Sequence, residues 1–277
     1  MPEYSPQQIF AVTPSVCTRY LAFAMEILLD AFKVIPEAAI SWLVEDSEFG
    51  DYAAMIELHH PLLQKGFCFV DGVNIPVAES EVDDIQNAYY NGWTCSHYCS
   101  NVPAFAPVGF FLIWCSVNGP GSWHDAAMAR GLYDKLVNRT PEGYYAFADT
   151  TFPRNRADIE GRIKTPLKST SKLPGQLQTQ GRIREYRELM NFNTQLVSAR
   201  QAAEWGMRAF QGSFGRLKLP LPANDHAHRH KVLMTCLRLH QVRTRCVGIN
   251  QIKTVYEKIW RGGDPESVRA VRADDVQ

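Results

Sequence analysis

Several things the 277-residue chain lacks narrow the field. Its longest apolar run, residues 102–117 (VPAFAPVGFFLIWCSV), falls short of the roughly 20 residues a membrane helix needs, and Pro103 and Pro107 interrupt it. No membrane association is expected. The opening MPEYSPQQIF has neither the basic end nor the apolar stretch of a secretory signal. Cysteine is scarce: seven residues, odd in number and scattered, exclude a disulfide framework and lead us to expect a reducing, intracellular setting. No internal repeat is visible. With 45% hydrophobic and 21% charged side chains a sizeable core can be buried, so disorder is excluded and one globular domain, or one with a short appendage, is expected.

Net charge is zero, but each half lacks charge of one sign. Residues 1–150 hold 6 Lys+Arg against 18 Asp+Glu; residues 151–277 hold 23 against 11. Such a split suits an acidic pocket able to hold cations beside a basic surface able to lie along a polyanion, although the two halves could equally pair with each other.

Along the chain, Thr13-Pro14 places a hydroxyl at an N-cap and proline at the first helical position, and Tyr20, Leu21, Ala24, Leu28 and Phe32 follow at helical spacing. Further helices are expected around 37–43 and 52–65. Then the period changes. FCFVDGV (67–73) is a short apolar strand broken by Asp71-Gly72, with more strand material at 74–77, and strands at 96–105 and 109–117 complete a meander. Gly119-Pro120-Gly121-Ser122 turns into a helix at 123–137, with Ser122 able to cap it and Asp125 in its first turn. Tyr144–Ala148 is another strand ended by an aspartate, Asp149. Residues 154–181 show no period and are expected to form a long basic loop. A long helix over 182–211 buries Leu189, Phe192, Leu196, Ala203, Met207 and Phe210; a last one covers about 225–260. This order predicts an α/β domain of ribonuclease-H-like type: a mixed sheet flanked by helices, after a short helical lead-in.

Asp71 and Asp149 each follow an apolar strand directly, which sets their carboxylates at sheet edges, and Glu204 can approach from the long helix. Two or three acids meeting from separate elements are the economical way to hold hard divalent ions such as Mg²⁺, and two such ions about 3.5–4 Å apart can hydrolyse a phosphodiester. Each acid alone has a plainer reading. Aspartate after a strand is a favoured turn former, and Glu204 lies four residues from both Arg200 and Arg208, where it could form exposed ion pairs. Those arginines could instead hold DNA phosphates.

FCFVDGVNIPV (67–77), YYNGWTCSHYCSNVPAFAPVGFFLIWCSVNGPGSWHDAAM (89–128), YYAFADTTFPR (144–154) and AEWGMRAFQGSF (203–214) together resemble the DDE-superfamily nucleases derived from PIF/Harbinger transposases. Asp-Gly, Pro-Gly-Ser-x-His-Asp and Asp-x-x-Phe-Pro in this order are specific in combination. The resemblance covers residues 67 to about 260, leaving 1–66 as a lead-in that is similar to the end of a helix-turn-helix region and 261–277 as a tail. It implies Asp71, Asp149 and Glu204 as catalytic, metal-binding residues, two Mg²⁺ or Mn²⁺ ions, and DNA as substrate. His124 and Asp125 belong to one of its motifs; Asp125 could be held by backbone N–H groups or could stand beside the metals. Around Glu204 the chain departs from the family pattern, with Met207, Arg208, Phe210 and Gln211 where other residues are usual.

The resemblance further implies a Myb-like DNA-binding partner protein and a nuclear location. Earlier helices of the DNA-reading region are missing, so either recognition rests on another protein or the chain begins late. Phosphate contacts are expected from Arg154, Arg156, Lys164, Lys168 and Lys172, joined by Arg200 and Arg208. Two other clusters weigh against metal: Cys95-x-His97-x-Cys99 has no second ligand pair, and His226, His228 and His230 alternate in what reads as a solvated polar loop. Two functions are carried forward: a metal-dependent endonuclease, or a non-catalytic DNA- or protein-binding factor descended from one.

Overall fold

A strand buried at every residue belongs in the middle of a sheet, and residues 66–70 (GFCFV) are such a strand. The computed structural model describes residues 6–109, 111–153, 159–168 and 170–247. Three helices come first, α1 (Pro6–Phe10), α2 (Pro14–Ala31) and α3 (Asp46–His59), followed by β1 (Gly66–Val70) and β2 (Val73–Pro76). Next, α4 (Asp83–Tyr89) leads through β3 (Tyr90–Asn91) to the long β4 (Ser96–Phe105) and β5 (Leu112–Pro120). Then come α5 (Asp125–Met128), α6 (Arg130–Asn138), β6 (Tyr145–Phe147), β7 (Ile163–Lys164), α7 (Leu173–Thr179), α8 (Ile183–Ser213) and α9 (His226–Cys246).

In the sheet, β5, β4, β1, β6 and β7 lie side by side; β1 is antiparallel to β4 and parallel to β6. β2 continues along the same side of β4 beyond β1, so Asp71-Gly72 marks a break in one nearly continuous edge. Alternate side chains separate two cores. Phe69, Phe105, Tyr145 and Phe147 meet Leu196, Ala199, Ala203 and Met207 of α8 together with Leu233 and Leu237 of α9. On the other face Cys68, Val70 and Ala146 meet Trp42, Phe49, Leu132 and Leu136. The result is the expected mixed sheet flanked by helices, consistent with a ribonuclease-H-like fold. Among the described residues no helix is long and apolar enough to cross a membrane.

Several local expectations are corrected. α3 starts at Asp46 rather than 52, because Glu45 and Glu48 form a reciprocal capping box, and it ends before His60-Pro61, where the residue preceding proline leaves helical geometry. Around 37–43 there is only a 3₁₀ turn, Pro36–Ala38. The apolar stripe of α2 is not all buried: Phe32 is, but Tyr20 and Leu21 are 59% and 55% exposed, because the helix touches α9 through a narrower face. β5 runs on through Gly119-Pro120, so the following helix opens at His124, not Ser122, and it breaks at Ala129 into α5 and α6. Residues 154–181 are not all loop. β7 adds a parallel edge to β6, α7 packs on α8, and Ile159, Ile163 and Leu177 are buried. These apolar residues are too widely spaced to register as a period. The last helix is described only to Cys246; its expected extension to 260 lies outside the described residues.

Candidate active site

β1 and β6 are parallel neighbours with Phe69 opposite Phe147. Side chains repeat with period two, so two steps beyond this pair Asp71 and Asp149 leave the same ends of adjacent strands toward the same face, near enough for the Asp149 charge to act on Asp71. That face is the one α8 covers, and the carboxyl ends of parallel strands are where ligands of open α/β sheets bind. The stacked rings of Phe69 and Phe147, centroids 5.4 Å apart, hold the two strand ends together beneath the acids. Both aspartates also do the turn work the plainer reading assigned them. Asp71 Oδ1 accepts from Gly72 N–H at 2.9 Å, and Asp149 C=O accepts from Phe152 N–H at 3.1 Å.

α8 adds the next two groups. Arg200 donates with one guanidinium nitrogen to Glu204 Oε1 at 3.1 Å and forms an ion pair through the other with Asp149 Oδ1, also at 3.1 Å. The bridge is only half-buried, with Arg200, Asp149 and Glu204 side chains 25%, 34% and 42% exposed. Arg200 therefore acts on the site's acids as well as lying on the surface where phosphate contacts were expected. Arg208, one turn beyond Glu204, is exposed.

The fourth carboxylate is that of Asp125. A Cβ built on Gly72 would fall 2.4 Å from Asp125 Cγ and Oδ2, so the carboxylate sits directly on the Gly72 backbone, beside Asp71. None of the described backbone N–H groups donates to it, and the helix it opens has four residues with His124 as N-cap. The N-terminal cradle that the sequence allowed is therefore not what holds Asp125. Burial raises its pKa, as does the Asp149 charge, while His124 lowers it. His124 itself is exposed.

Asp71 is the most perturbed of the set. Burial pushes it up to about 6; Gly72 N–H and Arg200 pull it down, and the charges of Asp149 and Asp125 push it up again. Asp71, Asp125 and Asp149 thus form an electrostatically coupled group, with Glu204 joined to it through Arg200.

The donor chemistry fits a hard divalent cation. The oxygens are carboxylate, they come from four separate elements, and burial, with the neighbouring aspartate charges adding to it, raises Asp71 to about 6, a cost that a cation would relieve. Among the described residues no three Asp, Glu, His or Cys side chains already close into a cage around a point.

The remaining expected contacts are scattered. Lys168 and Lys172 are exposed. Lys164 is half-buried, its ammonium 3.9 Å from the Tyr145 ring centroid and 5.1 Å from that of Phe192, and burial lowers its pKa. Arg154 and Arg156 lie outside the described residues. His226, His228 and His230 open α9 rather than forming a loop, with Asp225 accepting from His228 N–H at 2.8 Å. Cys95 is exposed, whereas Cys99 is buried.

Sequence reasoning placed Asp125 only as a supporting residue, and of its two readings of Arg200, ion pair with Glu204 or phosphate contact, the first is present while the link to Asp149 was not foreseen. The i,i+4 spacing of Arg200 and Glu204 was a visible signal for their pairing. No local signal tied Arg200 to Asp149, 51 positions earlier in the chain.

No curated protein and no solved structure matches the chain. Its match is to a family, extends over residues 70–241, and contains every carboxylate described above. With two strand-end aspartates in register, an acid-bearing helix across them and that match over more than half its length, the chain belongs to the DDE superfamily endonuclease family.

Proposed function

We propose that the protein is a divalent-metal-dependent DNA endonuclease of PIF/Harbinger transposase descent, with Asp71, Asp149 and Glu204 holding two Mg²⁺ or Mn²⁺ ions. The observation that carries this reading is the pair Asp71 and Asp149 just beyond the ends of paired parallel strands, with Glu204 of α8 linked to Asp149 through Arg200. When bound, such ions activate a nucleophile and stabilise the leaving oxygen of a phosphodiester. The chain's own contribution is position and charge. The β1–β6 pairing fixes the separation of the two aspartates, α8 brings Glu204 and Arg200 across them, and Arg200 and Arg208 present cations to a phosphate on the same side. Exposed Lys168 and Lys172, with Arg154 and Arg156, supply a sequence-independent grip on the duplex, and the same centre serves water or a DNA 3′-hydroxyl as nucleophile. A Myb-like partner supplies sequence recognition, and the setting is the nucleus.

A second reading is a factor that has kept the scaffold without turnover. The Arg200 bridge favours it, since its two terminal guanidinium nitrogens already engage one oxygen of Asp149 and one of Glu204, respectively.

Nicking of supercoiled plasmid separates the two. The protein with Mg²⁺ or Mn²⁺ is expected to convert supercoiled to open-circular DNA, and Asp149→Asn to abolish this while its circular dichroism and unfolding midpoint show a folded chain. Cleavage without added metal, or an undiminished Asp149→Asn variant, refutes the assignment.

A further inference from the structure

We propose that Asp125 is itself a metal-binding carboxylate of the site, sharing a cation with Asp71, and that Gly72 is glycine because the Asp125 side chain must lie against its backbone. This rests on the reading of the site as a divalent-cation centre.

Three observations lead there. The first is contact: any side chain at residue 72 would start 2.4–2.5 Å from all three atoms of the Asp125 carboxyl group, closer than real Cβ contacts come. Gly72 does not adopt a positive φ, so left-handed backbone is not what calls for glycine at this position; the closeness of Asp125 does. The second is the absence of another role. Asp125 is not exposed, yet among the described residues no backbone or side-chain donor serves its carboxylate, and its helix is a single turn. A carboxylate half-removed from water without donors is costly unless a cation completes it. The third is convergence. Glu204 spends one oxygen on Arg200. Asp71 and Asp125 meet at the Gly72 peptide from two elements, β1 and α5, which is the convergence a hard ion needs.

His124, at the N-cap of α5, is exposed and supplies the positive influence on Asp125 when protonated. Its neighbour is therefore held by geometry and not by a fixed ion pair.

The test is Mn²⁺ binding to the full chain, measured by titration calorimetry without DNA, so that it reads the site and not turnover. Asp125→Asn keeps the shape and removes the charge; it is expected to weaken Mn²⁺ by about tenfold or more. Loss of through-space attraction would also weaken binding, but that part fades as the screening length falls from about 10 Å at 0.1 M salt to about 3 Å at 1 M, whereas a lost ligand does not. The deficit should therefore persist in high salt.

Gly72→Ala keeps all the charges and displaces the Asp125 carboxylate. It should weaken Mn²⁺ comparably, and adding Gly72→Ala to Asp125→Asn should cost little more, because both act on one contact. Mn²⁺ that binds the wild type, is lost in Asp149→Asn, and binds Asp125→Asn or Gly72→Ala with undiminished affinity in high salt overturns the role of Asp125 and leaves the centre standing. Failure of Mn²⁺ to bind the wild type overturns both.

Discussion

Replacing Asp71 by Asn should make the protein more stable while removing its capacity to bind divalent ions. The folded environment raises this carboxyl to about 6 from its ordinary 3.8, chiefly because burial disfavours the charge, with the Asp149 and Asp125 charges adding to it. A folded pKa above the unfolded one means that the native state holds the proton longer. Below about pH 4 both states are protonated and nothing is lost. Between 4 and 6 the unfolded chain ionises first and stability falls; above 6 the full cost is present. By linkage that cost is on the order of 3 kcal/mol. Asparagine is nearly the same shape, and its carbonyl oxygen can still accept from Gly72 N–H as Asp71 Oδ1 does, but it carries no charge to desolvate. Urea denaturation at pH 7.5 should show Asp71→Asn more stable by about 1–3 kcal/mol, the lower end allowing for lost attraction to Arg200. At pH 4 the two proteins should unfold nearly together. Fresh protein is needed, because an Asn-Gly pair deamidates and restores the charge. A variant that is destabilised at pH 7.5, or whose gain is the same at both pH values, would refute the electrostatic account of the site.

The same carboxyl predicts that Mn²⁺ affinity of the wild type drops as pH falls through about 6, with protons released on binding; calorimetry in buffers of differing ionisation enthalpy would detect this. Arg200→Gln should tighten Mn²⁺ several-fold, since it frees one oxygen each on Asp149 and Glu204, while weakening binding to DNA and lowering its salt dependence; unchanged Mn²⁺ affinity would show that the bridge does not compete. Arg229 is wholly buried and hydrogen-bonds to Asn118, the Pro222 and Ala223 carbonyls and Tyr89. Arg229→Met should therefore destabilise by about 3–5 kcal/mol in urea titrations, by leaving these groups unpaired. Gly66→Ala would push a methyl into the Phe147 ring, 2.0 Å from its nearest atom, and should cost about 1–3 kcal/mol and disturb Asp149 two residues on, read as weaker Mn²⁺ binding.

Local pattern carried a good deal of this molecule. β4 was readable at its observed bounds, 96–105, because β-forming side chains between turn residues act over a few neighbouring positions. β1 and β6 were readable because short apolar runs ended by aspartate have little choice but to stop there, and α8 because its apolar stripe recurs from Leu189 to Phe210, although it is fully buried only from Leu196 on, with Leu189 and Phe192 half-buried. Asp71 and Asp149 came with them, since their position depends only on where a strand ends. What the sequence by itself could not determine depends on pairing between distant segments. The opposition of Phe69 and Phe147 puts the two aspartates on one face, and a slip of one residue would turn one of them away; that register is a property of two strands together. The same holds for Arg200 and Asp149, for Asp125 against Gly72, and for Lys164 beneath Tyr145 and Phe192. β7 and α7 escaped notice for a related reason. They are short elements with weak internal preference, and the edge of β6 and the flank of α8 complete them. Side-chain period is written along the chain; convergence of charge is decided only when the layers close.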